Sequence, residues 1–379
     1  MNFMLDEEDV MIQETAQRFA NEKLSQWAVQ MDRDCEFNMD AFHAAAEQGF
    51  TAITIPEEYD GMGASNLQLS LVMEEINKVC PATGVTLSVH NSLVNNVIVK
   101  YGTDEQKRQY LPKLASGEWM GAYSLTEPNS GTDAAAIICK GRKNHENWIL
   151  NGVKSFVTSG EYADLVVTFV RTGEERTTGI TAFLVETTSP GFSVSKAEKK
   201  MGLRGSKTNE ITFTDCIIPV SNVLGKEGDG FKIAMEALDG GRIGIASQAL
   251  GIGQAAFDVA LKYSKEREVF NTKLRKLQAI QFKIADMAIK LESARLMVRK
   301  AAWLRDQGLN CTREASISKV LATEAAAFVT DEAIQILGGV GYTEDFPVER
   351  FYRDARVTRI YEGTSEILRI VIARSFLRE

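Results

Sequence analysis

The sequence predicts a mainly helical α+β fold in which a helical region, a β region and a second helical region follow one another. Apolar residues recur at helical spacing up to about residue 117, and short apolar runs separated by turn residues replace them from about residue 121. From Phe231 onward, long amphipathic stretches rich in Ala, Leu, Glu, Lys and Arg return. We therefore predict domains at residues 1–120, 121–229 and 230–379.

The first region is predicted to be helical from the spacing of its apolar side chains. One set of side chains falls roughly on one helix face and a second set repeats at helical spacing; these are Met11, Thr15, Phe19 and Leu24, and Leu69, Val72, Met73 and Ile76. Segment 56–63 carries Pro and Gly and is predicted to be a loop between helices.

The middle region is predicted to form a compact β domain. Its short apolar runs are residues 148–152, 165–170, 180–185, 211–213 and 217–218. Asn151-Gly152 is the dipeptide most typical of a tight hairpin turn, so we expect a turn there. In the last region, the clearest predicted helices are 274–307 and 316–337.

Composition narrows the class of protein. The 379 residues carry a formal net charge of −8, with an estimated pI of about 5.3, which argues against a general nucleic-acid surface. No apolar run approaches the ~20 residues that span a bilayer, and the first residues have no basic leader. We expect a cytoplasmic protein. The five cysteines are scattered and odd in number and the three histidines are isolated, which favours free thiols and no metal site.

The segment 361–366, Tyr-Glu-Gly-Thr-Ser-Glu, is predicted to be a loop that leads into a C-terminal helix. A hydroxyl of Thr364 or Ser365 can cap that helix, and Glu366 suits its positive end. Glu362 is left just outside the helix beside the flexible Gly363, where its carboxylate can act as a base. The alternative for this segment taken alone is an ordinary helix start with a solvated acid.

Five blocks of sequence together resemble the acyl-CoA dehydrogenase flavoenzymes, and most closely the short-chain, butyryl-type members. The blocks are 123–133 (YSLTEPNSGTD), 201–206 (MGLRGS), 239–244 (DGGRIG), 335–342 (QILGGVGY) and 352–365, which contains YRDAR and EGTS. The resemblance implies an N-terminal helical domain, a β-barrel-like middle domain and a C-terminal four-helix bundle. It also implies bound FAD and a homotetramer built as a dimer of dimers.

The resemblance assigns FAD contacts to motif positions. Expected along the flavin are Tyr123, Leu125, Thr126, Gly131, Thr132, Phe156, Val157 and Thr158, followed by Thr364, Ser365 and Glu366. Expected at the pyrophosphate and adenosine, reached from a neighbouring subunit, are Arg267, Phe270, Gln278, Gln335, Gly338 and Gly339. Phe156 stands where many members have Trp, and Asn271 stands where the family usually has Gly.

The resemblance also implies the chemistry. Glu362 matches the base that removes the α-proton of an acyl-CoA thioester, and burial is expected to raise its pKa. The expected substrate contacts are Thr132, Asp239, Arg242, Tyr361 and Gly363, with Thr86, Val89 and Leu93 around the acyl chain. Gly241 leaves no acid at the alternative base position. Gly84 replaces the arginine of glutaryl-type members, which disfavours a dicarboxylyl substrate.

The predicted function is therefore oxidation of a short-chain acyl-CoA to its trans-2-enoyl-CoA, with electrons passed to an electron-transferring flavoprotein. The alternatives are a medium- or branched-chain dehydrogenase, an acyl-CoA oxidase, and a scaffold without activity. Residues 251–256, Gly-Ile-Gly-Gln-Ala-Ala, fit a loose dinucleotide pattern, but no strand precedes them, so no nicotinamide site is predicted.

Overall fold

The computed structural model describes residues 4–377. Its N-terminal region is helical, and the two π-helical segments in it interrupt otherwise continuous helices. The elements are α1 (Glu7–Phe19), α2 (Ser25–Asp34), α3 (Met39–Glu47), α4 (Asn66–Val79), α5 (Pro81–Ser88), α6 (Asn96–Tyr101) and α7 (Asp104–Ala115), with π turns at Ala20–Leu24 and Val89–Asn95. Segment 56–63 holds a single 3₁₀ turn, Glu57–Tyr59.

The second predicted apolar face is buried, and the first is only partly so. Leu69, Val72, Met73 and Ile76 all lie in the N-terminal core. Met11, which the periodicity places on the same face as Phe19 and Leu24, is 64% exposed, while the next residue, Ile12, packs inward. The buried face of α1 is Ile12, Ala16 and Phe19.

The middle region forms one eight-stranded sheet. Its strands are β1 (Gly121–Ser124), β2 (Lys140–Asn144), β3 (Asn147–Thr158), β4 (Leu165–Arg171), β5 (Ile180–Glu186), β6 (Phe192–Val194), β7 (Thr208–Pro219) and β8 (Val223–Leu224). The order is β6-β7-β3-β2-β4-β5-β8, and β1 lies parallel to β4. The two apolar runs predicted near residues 211–218 are parts of the single long strand β7.

The turn predicted at Asn151-Gly152 is wrong. Asn144 pairs with Asn147, so the chain reverses at residues 145–146, where His145 adopts φ +54°. Gly152 instead lies inside β3 at a register shift, with φ +146°. A Cβ there would stand 2.7 Å from the Cα of Cys139, so the glycine serves a β-bulge with close backbone approach.

The C-terminal region is a helical bundle. Its elements are α8 (Gly230–Glu266), β9 (Glu268–Val269), β10 (Thr272–Lys273), α9 (Gln278–Asp306), α10 (Thr312–Leu337), α11 (Val348–Thr358) and α12 (Ser365–Leu377). Helices α8, α9 and α10 share a core rich in alanine, which allows their axes to approach closely. The predicted fold class, helical then β then helical, is confirmed.

Arg353 of α11 joins three regions of the chain. Its guanidinium donates to both carboxylate oxygens of Asp32 in α2, at 2.9 and 2.6 Å, and to Glu349 on its own helix at 2.8 Å. The next residue, Asp354, accepts from the backbone N–H of Leu203, in the loop between β6 and β7. Helix α11 is thereby fixed to both preceding regions just before the chain reaches Glu362.

Candidate active site

The loop between α11 and α12 holds Glu362 in a left-handed conformation. Glu362 has φ +52° and Gly363 φ +103°, so two successive residues leave the usual backbone regions. Thr364 caps α12, since its Oγ1 accepts from the N–H of Ile367 at 3.3 Å. The hydroxyl of Ser365 is buried and has no hydrogen-bond partner among residues 4–377. Of the two predicted caps, the structure therefore uses Thr364.

The carboxyl group of Glu362 lies directly against helix α8. A Cβ added to Gly241 would stand 2.1 Å from Oε2 of Glu362 and 2.8 Å from Leu93. Oε2 is shielded from solvent and accepts no hydrogen bond from any part of the chain that the structure describes. A buried, unpartnered carboxylate oxygen is costly and is an indicator of a functional site.

Burial raises the pKa of Glu362 to about 7, and the positive charges of Lys319 and Arg242 limit the rise. A base whose pKa lies near neutrality is well matched to proton transfer at physiological pH. The carboxyl group of Glu362 is thus sheltered from water and has a raised pKa, and the sequence predicted that burial would raise this pKa.

Lys319 of α10 is a residue that the sequence reasoning missed. Its side chain is fully buried, and its Nζ donates to the carbonyl oxygens of Tyr361 at 2.8 Å and Gly363 at 2.6 Å. In the sequence Lys319 is one lysine in an amphipathic helix, where a solvated position is the usual outcome. The only available signal was its apolar neighbours, Ile317, Val320 and Ala322.

The predicted substrate contacts on α8 form an ion pair. Nη1 of Arg242 donates to Asp239 at 2.7 Å, and the other carboxylate oxygen of Asp239 accepts from the Thr312 hydroxyl. Arg242 is 7% exposed, and its Nε has no partner within residues 4–377. Its charge acts on Glu362, so these two residues belong to the site.

Two buried tyrosines lie within the influence of the Glu362 charge. The Tyr361 hydroxyl donates to Gln248, whose amide donates in turn to the Pro81 carbonyl at 3.2 Å. The Tyr123 hydroxyl is buried, with no partner in the described chain. Burial, together with the charge of Glu362, raises the pKa of both phenols, so both stay neutral near pH 7.

The three residues predicted to surround the acyl chain are all buried, but each has different neighbours. Leu93 lies in the π-helical turn and reaches Gly241 beside Glu362. The Thr86 hydroxyl accepts from Ser159 at the end of β3, at 3.5 Å, so it borders the middle domain. Val89 packs in the core between the first two regions. A Cβ at Gly84 would stand 2.2 Å from the Asn77 amide, so position 84 faces α4.

The residues predicted to contact the flavin ring lie on two adjacent segments. The Thr126 carbonyl accepts from the N–H of Ser155 at 2.8 Å, which joins the 125–127 segment to β3. Phe156 sits at a bulge in β3 with φ +57° and is 67% exposed, whereas its neighbour Val157 is fully buried. Gly131 and Thr132 are exposed, with open space around Gly131, whereas Leu125 is buried in the core.

A buried ion pair supports this segment and was also missed by the sequence reasoning. Lys154 is fully buried, and its Nζ donates to Glu127 at 2.7 Å and to the Leu125 carbonyl at 3.2 Å. Glu127 also accepts from the N–H groups of Ile138 and Cys139, at 2.6 and 3.1 Å. The pair fixes the backbone that carries Leu125 and Thr126.

The remaining predicted cofactor residues lie apart from Glu362. Arg267, Phe270, Gln278, Gln335, Gly338 and Gly339 are all exposed. Gln335 lies 16 residues beyond Lys319 on α10, or about 24 Å along the helix. Phe270 is 95% exposed at a turn in which Asn271 adopts φ +60°, so the asparagine keeps the left-handed conformation expected of the usual glycine.

Three family models together match nearly the whole chain. The N-terminal, middle and C-terminal domain models of acyl-CoA dehydrogenase match residues 6–118, 122–216 and 228–377. The chain belongs to the acyl-CoA dehydrogenase family. The resemblance seen in the sequence is thereby confirmed, and the protein is an FAD-dependent enzyme of that family.

Individual acyl-CoA dehydrogenases are similar over the full chain. The mitochondrial short-chain specific acyl-CoA dehydrogenase of Mus musculus is 46% identical over 375 residues, covering 99% of this chain and 91% of that protein. Butyryl-CoA dehydrogenase from Megasphaera elsdenii superposes with a TM-score of 0.98 at 42% identity, covering 100% of both chains. A chain in a structure of the electron transferring flavoprotein of Acidaminococcus fermentans, on flavin-based electron bifurcation, gives a TM-score of 0.99 at 46% identity, again over 100% of both chains.

The residues present fit an FAD group. Exposed rings of Phe156 and Phe270 offer apolar faces, and open space at Gly131, Gly338 and Gly339 lets a ligand approach the backbone. Arg267 is exposed and suits a pyrophosphate. Within residues 4–377 no cluster of three or more His, Cys, Asp or Glu could hold a metal ion. No helix in that range is both long and apolar enough to cross a membrane.

Proposed function

We propose that this protein oxidises the α,β bond of a short-chain acyl-CoA to the trans-2-enoyl-CoA. The observation that carries the proposal is the Glu362 carboxyl group, which is buried against Gly241 with Oε2 unpartnered and the pKa raised to about 7. An α-proton of a thioester is only weakly acidic. Its removal therefore needs a base that is sheltered from water and poised near neutral pH.

Glu362 supplies two groups to this reaction. Its carboxylate takes the α-proton, and its backbone N–H, which donates to no acceptor in the described residues, is available for the thioester oxygen. A donor aimed at that oxygen stabilises the charge that develops as the proton leaves. The left-handed conformation at Glu362 lets one residue present both groups.

FAD, when bound, accepts the hydride that leaves the β-carbon. We propose that Tyr123, Leu125, Thr126, Gly131, Thr132, Phe156, Val157 and Thr158 hold its flavin part, together with Thr364, Ser365 and Glu366. We assign the pyrophosphate and adenosine to Arg267, Phe270, Gln278, Gln335, Gly338 and Gly339. Because Gln335 lies about 24 Å along α10 from Lys319, and Gly338 and Gly339 follow at the end of that helix, we infer that this group serves the flavin of a neighbouring subunit.

A homotetramer accounts for an apolar stripe on α9. Phe282, Ile289, Leu296 and Trp303 repeat every seven residues and are 61%, 63%, 52% and 38% exposed in the single chain. A heptad repeat of exposed apolar side chains is typical of a helix that packs against a partner helix. We infer that this stripe is covered in the assembly.

The short-chain assignment is supported by relatives and by local geometry. The murine and Megasphaera elsdenii relatives are described as short-chain and butyryl-CoA enzymes. Gly84 provides no arginine for a distal carboxylate, and Gly241 provides no alternative base. We propose that Thr86, Val89 and Leu93 surround the acyl chain, while Thr132, Asp239, Arg242, Tyr361 and Gly363 contact the rest of the substrate.

We propose an electron-transferring flavoprotein as the acceptor, supported by the neighbour from Acidaminococcus fermentans. A reducing cytoplasmic location is supported by five free cysteines, four of them buried. The domain limits are proposed at 1–120, 121–229 and 230–379, since β1 begins at Gly121 and α8 at Gly230.

Anaerobic bleaching of the flavin by acyl-CoA thioesters tests the proposed function. Straight chains of increasing length and branched chains are mixed with the FAD-loaded protein, and the loss of flavin absorbance is followed. Fastest bleaching is expected with short straight chains. Absence of bleaching with every thioester contradicts the reaction, a preference for branched or longer chains contradicts the substrate, and peroxide formed in air in step with enoyl-CoA identifies an oxidase.

A further inference from the structure

We propose that Lys319 is a positioning residue that holds Glu362 in its reactive geometry. This inference rests on the proposed role of Glu362 as the base. The carbonyl groups on both sides of Glu362, those of Tyr361 and Gly363, accept from the same buried ammonium at 2.8 and 2.6 Å. Lys319 therefore holds the backbone before and after Glu362 through hydrogen bonds to main-chain carbonyl groups.

The backbone conformation at Glu362 is one that surrounding contacts must stabilise. A non-glycine residue at φ +52° is in a sparsely populated conformation, and such strain persists only where surrounding contacts over-determine it. Gly363, at φ +103°, adds a flexible residue immediately after it. Two hydrogen bonds to one ammonium fix the orientation of the Tyr361–Glu362 peptide relative to the Gly363–Thr364 peptide, so the segment between them, which contains Glu362, is held at both ends.

Helix α10 is a rigid support for this contact. Lys319 is the eighth residue of the 26-residue helix, about two turns from its start, and Ala315, Ala322 and Ala326 on the same helix are fully buried in the bundle core. The same bundle contains α8, which carries Gly241 and Arg242. A single rigid body thus carries both the surface against which the carboxylate lies and the cation that holds its loop.

The charge of Lys319 has a second effect. It favours the ionised form of Glu362, as Arg242 also does. The acidic groups that act on Lys319 itself are Glu362, Glu366 and Glu324, and Arg242 opposes its charge. Loss of the ammonium should therefore move Glu362 out of place and also make it a weaker acid.

The test compares Lys319→Met and Lys319→Gln with the wild type, all FAD-loaded. Methionine fills similar space without donors or charge, whereas glutamine keeps donors without charge. The control is Lys143→Met, which removes a lysine that pairs with Glu227 on the exposed rim of the middle domain at 2.5 Å. Flavin content and the affinity for an enoyl-CoA, whose binding needs no base, report whether the site is intact.

We expect Lys319→Met to keep flavin and enoyl-CoA affinity but to bleach about 100-fold more slowly with acyl-CoA. The midpoint of its pH–rate profile should lie about one pH unit above that of the wild type, since the removal of a nearby opposite charge raises the pKa of Glu362. Lys319→Gln should recover part of the rate but not the pH midpoint. Amide hydrogen exchange at residues 359–364 should accelerate most in Lys319→Met and be unchanged in Lys143→Met.

The inference is overturned if Lys319→Met keeps the wild-type bleaching rate, pH midpoint and exchange pattern. It is also overturned if the rate falls but neither the pH midpoint nor the hydrogen exchange changes. If that variant does not fold, the midpoint of Lys319→Gln decides, because an unshifted midpoint contradicts the role of the charge. Failure of the wild type to bleach at all instead contradicts the proposed function. The exchange of residues 359–364 still tests whether Lys319 holds the loop in that case.

Discussion

Oε2 of Glu362 leaves no room for a side chain at position 241, because a Cβ built on Gly241 would stand only 2.1 Å from that oxygen. The two residues are 121 positions apart in sequence. A carboxylate at 362 and a side chain at 241 are therefore mutually exclusive in this geometry. The absence of an acid at 241, noted from the sequence, is a steric requirement as well as a chemical one.

Gly241→Ala is expected to displace the carboxyl group and slow bleaching by about 100-fold, the scale expected for a misplacement of about 1 Å. The helix itself should not suffer, since alanine is favoured over glycine in a helix interior by about 1 kcal/mol. Rapid-mixing bleaching kinetics and thermal unfolding measure the two effects. Gly173→Ala in a surface loop is the matched control, and equal rates for both variants would contradict the contact.

Glu362→Gln is expected to bind acyl-CoA and to lose about 1,000-fold in bleaching rate, because an amide cannot accept the α-proton. Oε2 makes no hydrogen bond within residues 4–377, so the substitution should leave the loop in place. Binding is measured from the flavin spectral shift with enoyl-CoA. Glu58→Gln, at an exposed position, serves as the control. Unchanged bleaching in Glu362→Gln would assign the base elsewhere.

The pH dependence of kcat/KM should follow the ionisation of Glu362 in the free enzyme. Because the carboxylate is the active form, the rate should rise with pH and reach half its plateau near pH 7, where burial places the pKa. The facing groups are Lys319, Arg242, Tyr123 and Tyr361. Both phenols stay neutral in this range, and the pKa of Lys319 is lowered to about 8. A plateau already reached at pH 5 would contradict a raised pKa.

Much of the fold and the place of Glu362 could be predicted from local sequence. Periodicity separates the helical and β regions, and the cap at Thr364 marks the helix start that leaves Glu362 outside. Local reasoning failed where a residue serves a distant partner. Asn151-Gly152 is a typical turn dipeptide, but here it forms a β-bulge. Gly152 allows the close approach of the Cys139 backbone, and the Asn151 side chain accepts from the N–H of Asp215 on β7.

The burial of Lys154 and Lys319 also could not be predicted from local sequence. Lys154 and Lys319 are fully buried, yet each stands in a segment where a lysine is ordinarily solvated. Their burial follows from the packing of strands and helices far apart in sequence, which no local pattern encodes. Each is the partner of backbone carbonyls in a segment that the sequence did identify, 125–127 and 361–363.

Lys154→Met should destabilise the protein by about 3–5 kcal/mol, because it leaves Glu127 as an uncompensated buried charge. It should also weaken FAD retention, since the pair fixes the segment of Leu125 and Thr126. Thermal unfolding and fluorescence of released FAD measure both. The double variant Lys154→Met/Glu127→Gln should recover much of the stability, and a double variant as unstable as the single one would contradict the charge explanation.

Arg353 links Asp32 to helix α11, which immediately precedes the loop of Glu362, across 321 positions of sequence. During synthesis, the N-terminal helices and the sheet emerge long before that arginine. The loop that carries Glu362 therefore lacks this anchor until almost the whole polypeptide has left the ribosome. We expect a nascent or truncated chain ending before α11 to form the middle sheet and yet be inactive, because it lacks both this anchor and Glu362.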